Sequence, residues 1–494
     1  MSTVNLNEMM VYSGVQFGTS GVRGLVKDMT DKICFTYVSA FLQYLIEQQL
    51  IQQGDKVGLA GDLRTSSPRI MNATSAACIN MGFEPINYGH IPSPAIALYG
   101  IAYSMSTIMI TGSHIPDDRN GIKFNTIHGE ILKQDEQGIR SQSVVINDSL
   151  FTNDGCLLSQ GHLRQAINNA EQYYISRFID FLPPKCLVGK RIGLYEHSSV
   201  SRDCLMTIFQ QLGATVTPLG RSEEFISVDT EAIRPEDVIH AKQWMRKYDF
   251  DCIVSTDGDG DRPLISDEKG NWLRGDIAGV LCAQYLNSEC VVTPISSNSV
   301  VEKSKLFDKV IRTRIGSPYV IEAMQEMAIG LDKTVVAYEA NGGFLQQTPI
   351  RKNNKTLAPL PTRDATIVPL AVILLAQQQN ATISQLLNSL PQRYTFSDRI
   401  KGFPSELSTN IINSMLAADR KSNLKVIKSH FDSFGEPVAI DNTDGIRITF
   451  DSESIVHIRP SGNAPELRCY TEASSEYEAE SINKKCMKIM AAWL

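Results

Sequence analysis

The stretch Thr107-Ile108-Met109-Ile110-Thr111-Gly112-Ser113-His114-Ile115-Pro116 indicates how this chain folds and where its chemistry lies. Its apolar first part, 107–110, predicts a buried strand, so Ser113 follows directly after a strand end. Open α/β sheets bind their ligands at that edge. A serine in such a loop is either a nucleophile activated by a neighbouring base or a turn residue that caps backbone groups.

Two segments of the chain repeat one order of strand, helix and strand. In the first, a strand at 54–59 precedes a helix that begins at Ser67, and a second strand ends at Gly89. The second segment runs from Gly189 to Gly220, and glycines mark the ends of its predicted elements as they do in the first segment. This repetition predicts duplicated α/β domains built on parallel βαβ packing.

The chain changes character after about residue 390. Alternating strands at 445–450 and 454–458, followed by a helix at 475–493, predict a small α+β domain with an antiparallel sheet. A helix over 162–182, which Pro183-Pro184 terminates, connects the first repeat to the second. We therefore predict an α/β protein with three α/β domains at 1–165, 166–275 and 276–389 and an α+β domain at 390–494.

Composition narrows the classes of partner. The 494 residues are too many for one hydrophobic core, and a net charge of −7 without a polybasic run argues against nucleic acid or anionic membrane as a partner. Residues 1–16 lack the pattern of a signal peptide, and the most apolar run, 367–376, is too short to span a bilayer. The ten cysteines are scattered, as expected for reduced thiols. These features predict a cytoplasmic protein; they do not define its oligomeric state.

The segment Asp257-Gly258-Asp259-Gly260-Asp261-Arg262 is the strongest single motif. Three carboxylates at alternating positions after an apolar strand can converge on one hard cation, and oxygen ligands favour Mg²⁺, Mn²⁺ or Ca²⁺. An EF-hand is excluded, because its sixth position requires glycine and here is Arg262. A phosphatase that uses Asp257 as its nucleophile remains an alternative at this point.

Three other loops carry side chains suited to anions or hydroxyls. The glycine-rich segment 17–24 presents Arg23. The segment 459–465 combines a guanidinium, a hydroxyl and an amide that suit a phosphate monoester. The segment 339–343 places a carboxylate and an amide two residues apart, either as ligands of vicinal hydroxyls or as an ordinary turn.

These motifs, in their order along the chain, resemble the α-D-phosphohexomutase superfamily, the group that contains phosphomannomutases and phosphoglucomutases. The resemblance extends over essentially the whole chain and includes Asn120-Gly121-Ile122-Lys123. It implies a fold of four domains around a central cleft, three α/β and one C-terminal α+β.

The resemblance also implies a role for each motif. Ser113 would carry a phosphoryl group, and one Mg²⁺ would be held by Asp257, Asp259 and Asp261 together with phosphorylated Ser113. The remaining site residues that it implies are the cations Arg23, Lys123 and Arg262, the proton-transfer candidates Lys123 and His114, the sugar ligands Glu339 and Asn341, and the phosphate ligands Arg459, Ser461, Gly462 and Asn463.

The implied reaction is phosphoryl transfer between the 1- and 6-positions of a small-molecule hexose phosphate through a hexose 1,6-bisphosphate. We expect mannose phosphates to be the preferred substrate, with glucose or glucosamine phosphates as alternatives. A metal-dependent phosphatase and a non-catalytic sugar-phosphate sensor are the rival functions.

The chain departs from the usual motifs of that superfamily at four places. Ala-Ser-His-Asn-Pro becomes Gly112-Ser113-His114-Ile115-Pro116, and the sugar loop Gly-Glu-x-Ser-Gly-His becomes 338–343, which ends in Gly343. The phosphate loop loses a hydroxyl within 462–465, and 316–318 lacks a histidine that some members carry. The serine and the three aspartates, which the resemblance implies as phosphoryl carrier and metal ligands, are retained, so these departures bear on sugar specificity.

Overall fold

The computed structural model describes residues 1–18, 21–417, 419–461 and 465–494. Within them the chain forms two compact units. The first comprises Met1–Ser288 and Met324–Leu386, and the second comprises Glu289–Ala323 and Leu387–Leu494. The predicted boundaries of four domains remain a prediction.

The first unit begins with a mixed sheet that carries Ser113 at one edge. Its path runs through the strands Gln16–Phe17, Gly21–Leu25, Arg119–Thr126, Ser106–Ile110, Lys56–Gly61 and Glu84–Asn87, and Gly129–Glu130 pairs with Arg119–Thr126. Strand Lys56–Gly61 is parallel to both Glu84–Asn87 and Ser106–Ile110. Strand Arg119–Thr126 is antiparallel to Ser106–Ile110. The accompanying helices are Leu6–Ser13, Asp31–Glu47, Ser67–Asn80, Ser93–Ala102 and Lys133–Arg140, and Ser2–Asn5 forms a ribbon with Ser143–Ile146.

A second sheet of the first unit carries the aspartate motif. Its order is Thr215–Leu219, Arg191–Tyr195, Cys252–Thr256 and Pro263–Ile265, parallel except for the last strand. The helices of this region are Asn169–Phe181, Arg202–Gln211 and Pro235–Tyr248. Both repeats predicted from the sequence are therefore strand–helix–strand units with parallel strands.

The helix predicted over 162–182 is shorter than expected. It begins only at Asn169 and ends at Phe181. The preceding chain instead packs its backbone against the first sheet, since the backbone amide of Ile167 donates to Asn87 O and the Asn87 side chain donates to Arg164 O. Tertiary hydrogen bonds thus replace the first two turns of the predicted helix.

The rest of the first unit surrounds the predicted sugar loop. Helices Gly275–Tyr285 and Ile367–Gln378 pack against each other. Strand Val335–Tyr338 pairs antiparallel with Phe344–Gln346, and the residues between them form the loop 339–343. A short ribbon joins Ile350–Lys352 to Lys355–Leu357.

The second unit contains the predicted C-terminal α+β domain. Its antiparallel sheet has the order Tyr394–Lys401, Glu466–Ala473, Ile455–Pro460, Ile446–Phe450 and Pro437–Asp441. Helices Ser405–Met415, Arg420–His430 and Glu476–Ala491 accompany it, and the buried core includes Phe403, Phe431 and Ile458. The unit also holds the parallel strands Cys290–Pro294 and Lys309–Thr313, with helix Val300–Lys303 between them. Helix Ser317–Ala328 starts in this unit, and helix Ile383–Ser389 ends in it.

Among the residues that the structure describes, no single helix has both the length and the apolar character to cross a membrane. The consecutive helices Ile367–Gln378 and Ile383–Ser389 reach that length and apolar character only when they are taken together, and the chain bends by 82° between them.

Candidate active site

Ser113 emerges where the sequence predicts it, three residues after strand Ser106–Ile110. Its backbone has φ of 55°, in the left-handed region that a non-glycine residue seldom occupies. The Ser113 amide donates to Thr111 Oγ1 at 2.7 Å, which stabilises this conformation. The turn directs the buried hydroxyl at Asp257, and Ser113 Oγ donates to Asp257 Oδ2 at 2.6 Å.

The three aspartates converge after strand Cys252–Thr256. All three are buried, and one oxygen from each lies within 4.8 Å of the others. Asp257 Oδ1 accepts from the backbone amides of Asp261 and Arg262 at 3.2 and 3.1 Å, which closes the turn. Asp259 Oδ1 and Asp261 Oδ1 are buried without a hydrogen-bond partner among the described residues. Unpaired carboxylate oxygens at this spacing fit one hard divalent cation.

The protonation of the aspartates reflects this crowding. Burial, followed by the charges of Asp259 and Asp261, raises the pKa of Asp257 well above its ordinary value. Burial would raise the pKa of Asp261 as well, but Arg363, Lys123 and Arg262 outweigh it and lower that pKa. Three ionised carboxylates are therefore stable here only with cationic charge close by.

Lys123 supplies part of that charge. Its ammonium lies 2.5 Å from Asp259 Oδ2 and 2.6 Å from Asp261 Oδ2. Burial opposes the charged form, but the two aspartates outweigh it and raise the pKa of Lys123. Lys123 is therefore a permanent cation within the aspartate cluster.

Arg23 and Arg262 lie near the same cluster. Arg23 pairs across the sheet with Gly121, two residues from Lys123, so the side chains of Arg23 and Lys123 leave the same face. Burial, followed by the charge of Arg262, lowers the pKa of Arg23 to about 10, and Asp259 and Asp261 act in the opposite direction. Arg262 Nε lies 3.9 Å from Asp257 Oδ2 and 3.7 Å from Asp261 Oδ1. Both guanidinium groups are charged at neutral pH.

His114 is adjacent to the hydroxyl but is a weak base. Its Nδ1 lies 3.3 Å from Ser113 Oγ, and Ser227 Oγ donates to its backbone carbonyl. Burial, followed by the charges of Arg262 and Arg23, lowers the pKa of His114 to about 2. The imidazole is therefore neutral at physiological pH.

Arg363 is a residue of this site that sequence reasoning missed. Its Nε and Nη2 lie 3.0 and 2.9 Å from Asp261 Oδ2, and its Nη1 donates to Glu339 Oε2 at 3.3 Å. One buried guanidinium thus joins the aspartate cluster to the predicted sugar loop. No local pattern in Thr362-Arg363-Asp364 marks it, because its partners are 102 and 24 residues away in the chain.

Asp62 and Arg64 form a second missed element, a buried ion pair beneath the serine loop. Arg64 Nε lies 3.1 Å from Asp62 Oδ2, and both side chains are fully buried. The remaining guanidinium nitrogens of Arg64 donate to four backbone carbonyls of the loop, those of Ser113 (2.9 Å), Ile115 (2.5 Å), Pro116 (2.7 Å) and Arg119 (3.0 Å). Asp62 Oδ2 accepts from Thr111 Oγ1 at 2.7 Å. A charged pair directly after strand Lys56–Gly61 is a signal that could have identified them.

The sugar loop is buried and partly used by its own turn. Glu339 is 5% exposed and Asn341 is 9% exposed. Asn341 Oδ1 accepts from the Gly343 amide at 2.9 Å, and Thr230 Oγ1 donates to Asn341 O at 2.7 Å. The Nδ2 amide is the part of the Asn341 side chain that this turn does not use.

The described part of the predicted phosphate loop lies in the second unit. Arg459 and Ser461 line a cavity of about 440 Å³ that Arg314 and Asp444 also border. Arg459 Nε lies 3.3 Å from Asp444 Oδ2, and the Ser461 amide donates to Glu466 O at 2.8 Å. The predicted ligands Gly462 and Asn463 lie outside the described residues.

A buried hydroxyl held against a triad of aspartates that suits a divalent cation, among several fixed cations, defines the site of a phosphoryl-transferring enzyme. Sequence comparison agrees. The models "Phosphoglucomutase/phosphomannomutase, alpha/beta/alpha domain I", "alpha/beta/alpha domain III" and "C-terminal domain" match residues 14–145, 274–394 and 411–489.

Individual relatives cover almost the whole chain. The chain is 43% identical to a phosphomannomutase of Salmonella muenchen, over 97% of this chain and 96% of the relative. It is 40% identical to a phosphomannomutase of Sinorhizobium fredii (strain NBRC 101917 / NGR234), over 95% and 97%. The fold is similar to the crystal structure of a phosphoglucomutase/phosphomannomutase family protein from Burkholderia thailandensis, with a TM-score of 0.72 at 18% identity over 96% of each chain. The chain belongs to the phosphoglucomutase/phosphomannomutase family of isomerases.

Proposed function

We propose that this protein is a phosphomannomutase, which interconverts mannose 6-phosphate and mannose 1-phosphate through a phosphorylated Ser113 and a hexose 1,6-bisphosphate. The observation that carries the proposal is the 2.6 Å hydrogen bond from Ser113 Oγ to Asp257 within the buried triad. The preference for mannose rests on the two relatives above, whose names are phosphomannomutase.

The proposed metal is one Mg²⁺ held by Asp257, Asp259 and Asp261 with an oxygen of phosphorylated Ser113. The donor set supports this assignment, because carboxylate oxygens suit Mg²⁺ and two of them are unpaired in the buried cluster. When bound, Mg²⁺ stabilises negative charge on the transferring phosphoryl group.

The chain's own residues contribute alignment and further charge. In the first half-reaction the P–Oγ bond of phosphorylated Ser113 breaks while a bond forms from phosphorus to the free 6-hydroxyl of a hexose 1-phosphate. The intermediate then reverses its orientation, and Ser113 Oγ takes the phosphoryl group from position 1. Lys123, Arg23 and Arg262 would stabilise the charge on that group in both halves.

The proton of the attacking hydroxyl requires an acceptor, and we assign this role to His114. Lys123 is held protonated by Asp259 and Asp261, whereas the His114 imidazole is neutral. A weak base suffices, because the loose transition state of phosphoryl transfer depends mainly on alignment and electrostatics.

The sugar loop and the phosphate loop supply the remaining predicted substrate ligands. We assign Glu339 and the Asn341 Nδ2 amide to the sugar hydroxyls, and Arg459, Ser461, Gly462 and Asn463 to the second phosphate. Hexose 1,6-bisphosphate would also act as the activator that phosphorylates Ser113. The cytoplasmic location and the absence of nucleic-acid and membrane partners remain predictions from composition.

The phosphatase alternative receives less support. As a nucleophile, Asp257 would attack through an oxygen that already accepts hydrogen bonds, Oδ2 from Ser113 or Oδ1 from two backbone amides. We expect Ser113→Ala to abolish turnover even with added hexose 1,6-bisphosphate. Full turnover in that variant would contradict the proposal.

The substrate is tested by comparing kcat/KM for mannose, glucose and glucosamine 1-phosphates. We expect mannose 1-phosphate to be preferred by about tenfold or more, equivalent to about 1.4 kcal/mol of transition-state binding. A preference of that size for glucose or glucosamine would reassign the substrate within the family. Binding without turnover of any of the three would support the sensor.

A further inference from the structure

Arg363 connects two parts of the site that have separate tasks in the proposed reaction. Its side chain is 4% exposed, and its nitrogens contact Asp261 on one side and Glu339 on the other. The proposed roles of these carboxylates are metal binding and sugar recognition. Because the guanidinium is planar and rigid, fixing one contact fixes the direction of the other.

The aliphatic part of Arg363 also explains the glycine that ends the sugar loop. A Cβ atom on Gly343 would lie 2.5 Å from Arg363 Cδ and 2.6 Å from its Cγ. Gly343 does not have a positive φ, so its backbone would accept another residue. The space that a side chain at this position needs is filled by Arg363.

Gly343 stands at the position where the superfamily motif ends in histidine. The chain therefore lacks a side chain at 343, and the aliphatic stem of Arg363, from another segment, lies in the same volume. The two features are complementary, because the stem of Arg363 excludes a side chain at Gly343 while its head reaches Glu339.

We propose that Arg363 replaces the side chain missing at Gly343 and determines sugar specificity by fixing the Glu339 carboxylate relative to Asp261. The pair leaves Glu339 Oε1 to accept a hydrogen bond from a sugar hydroxyl, while Oε2 is held by Arg363 Nη1. A sugar whose hydroxyls do not match this fixed carboxylate binds less well. This inference rests on the proposed mutase function.

The first test replaces Arg363 by Met, which keeps the stem but removes the guanidinium, and by Lys, which keeps the charge but loses the planar geometry. For both variants we expect KM for mannose 1-phosphate to rise about tenfold or more and the ratio of kcat/KM between mannose and glucose 1-phosphates to fall by a similar factor. Arg177→Met is the matched control, because Arg177 is 5% exposed and pairs with the neighbouring Asp364 at 3.7 Å rather than with the site. The control should keep the wild-type ratio.

Binding is measured separately from turnover by titrating mannose 1-phosphate into the Ser113→Ala protein with and without Arg363→Met. We expect about tenfold weaker binding in the double variant, a change that loss of chemistry alone cannot produce. Equal binding, together with an unchanged substrate ratio in Arg363→Met and Arg363→Lys, would overturn the inference.

A second test exchanges the two side chains. Gly343→His should lower Tm because the imidazole overlaps the Arg363 stem, and it should lower Tm less in an Arg363→Ala background. Equal losses of Tm for Gly343→His in the presence and absence of Arg363 would overturn the inference. This comparison does not require the Arg363→Met variant to fold. Wild-type protein without mutase activity on any hexose phosphate would instead contradict the proposed function, so the two failures are distinguishable.

Discussion

Arg64 is among the largest side chains that the described residues bury completely, and each of its guanidinium nitrogens has a hydrogen-bond acceptor. A buried guanidinium is stable only when its charge and its donors are paired. Here Asp62 supplies the countercharge, and carbonyls of the serine loop accept the other donors. The pair therefore links the stability of the protein to the shape of the loop that contains Ser113.

Replacing Arg64 by Met should be strongly destabilising, because it leaves Asp62 buried without its partner. We expect a loss of about 3–5 kcal/mol in the free energy of unfolding, measured by urea denaturation. Arg164→Met is the control, since its ion pair with Glu84 is exposed and should contribute about 1 kcal/mol or less. Equal losses in the two variants would contradict this role for Arg64.

His457 should make stability depend on pH. Its buried imidazole donates through Nε2 to Asp444 O at 2.7 Å, and burial lowers its pKa to about 4. Below pH 6.5 the unfolded chain binds a proton that the native imidazole does not, so the stability present above that pH is lost as pH falls toward 4. The expected loss from this one group is about 3 kcal/mol.

The measurement is the free energy of unfolding at pH 7.0, 5.5 and 4.5 for the wild type and His457→Gln. Glutamine keeps an Nε2 donor but does not titrate, so the variant should lose less stability between pH 7.0 and 4.5. Parallel pH profiles for the two proteins would show that His457 is protonated equally in both states.

The loop after strand Ser106–Ile110 is held by hydrogen bonds to the Asp62–Arg64 pair. A Cβ on Gly112 would lie 2.6–2.8 Å from the guanidinium atoms of Arg64. Five hydrogen bonds from the Arg64 side chain fix that guanidinium, so it cannot move aside easily. The alanine usual at this position in the superfamily motif does not fit this chain.

We therefore expect Gly112→Ala to lower stability by about 1–3 kcal/mol through overpacking and to slow phosphorylation of Ser113 by hexose 1,6-bisphosphate. The check is a double-mutant cycle with Arg64→Ala, where the added methyl group should cost less. An identical cost in both backgrounds would mean that Arg64 does not restrict the loop.

The elements that could be predicted are those encoded by continuous patterns. The repeated strand–helix–strand units, the C-terminal antiparallel sheet, Ser113 at a strand end and the triad at 257–261 all follow from local periodicity and spacing. Arg363 and Arg64 could not be found in this way, because their roles depend on partners that only the tertiary fold brings within reach. The helix expected over 162–182 begins late, at Asn169, for the same reason, since tertiary hydrogen bonds hold 164–167 in an irregular conformation.

At the scale of the whole molecule, the first unit contains Ser113, the triad and the sugar loop, so metal binding should stabilise that unit as a whole. We expect Mg²⁺ to raise the Tm of EDTA-treated protein, with about 2.7 kcal/mol of stabilisation at a concentration of 100 times Kd. Asp261→Asn should lose most of this shift, whereas Asp249→Asn, at an exposed position outside the site, should retain it. A shift that survives Asp261→Asn would place the metal elsewhere.

In the proposed reaction, Ser113 carries the phosphoryl group that moves between positions of the sugar. The most direct test of this role is peptide mapping by mass after incubation of the protein with hexose 1,6-bisphosphate and Mg²⁺, followed by a chase with mannose 1-phosphate. We expect a gain of about 80 Da on the Ser113 peptide, its loss during the chase, and no gain in Ser113→Ala. Phosphorylation of Asp257 with Ser113 unmodified would contradict this role.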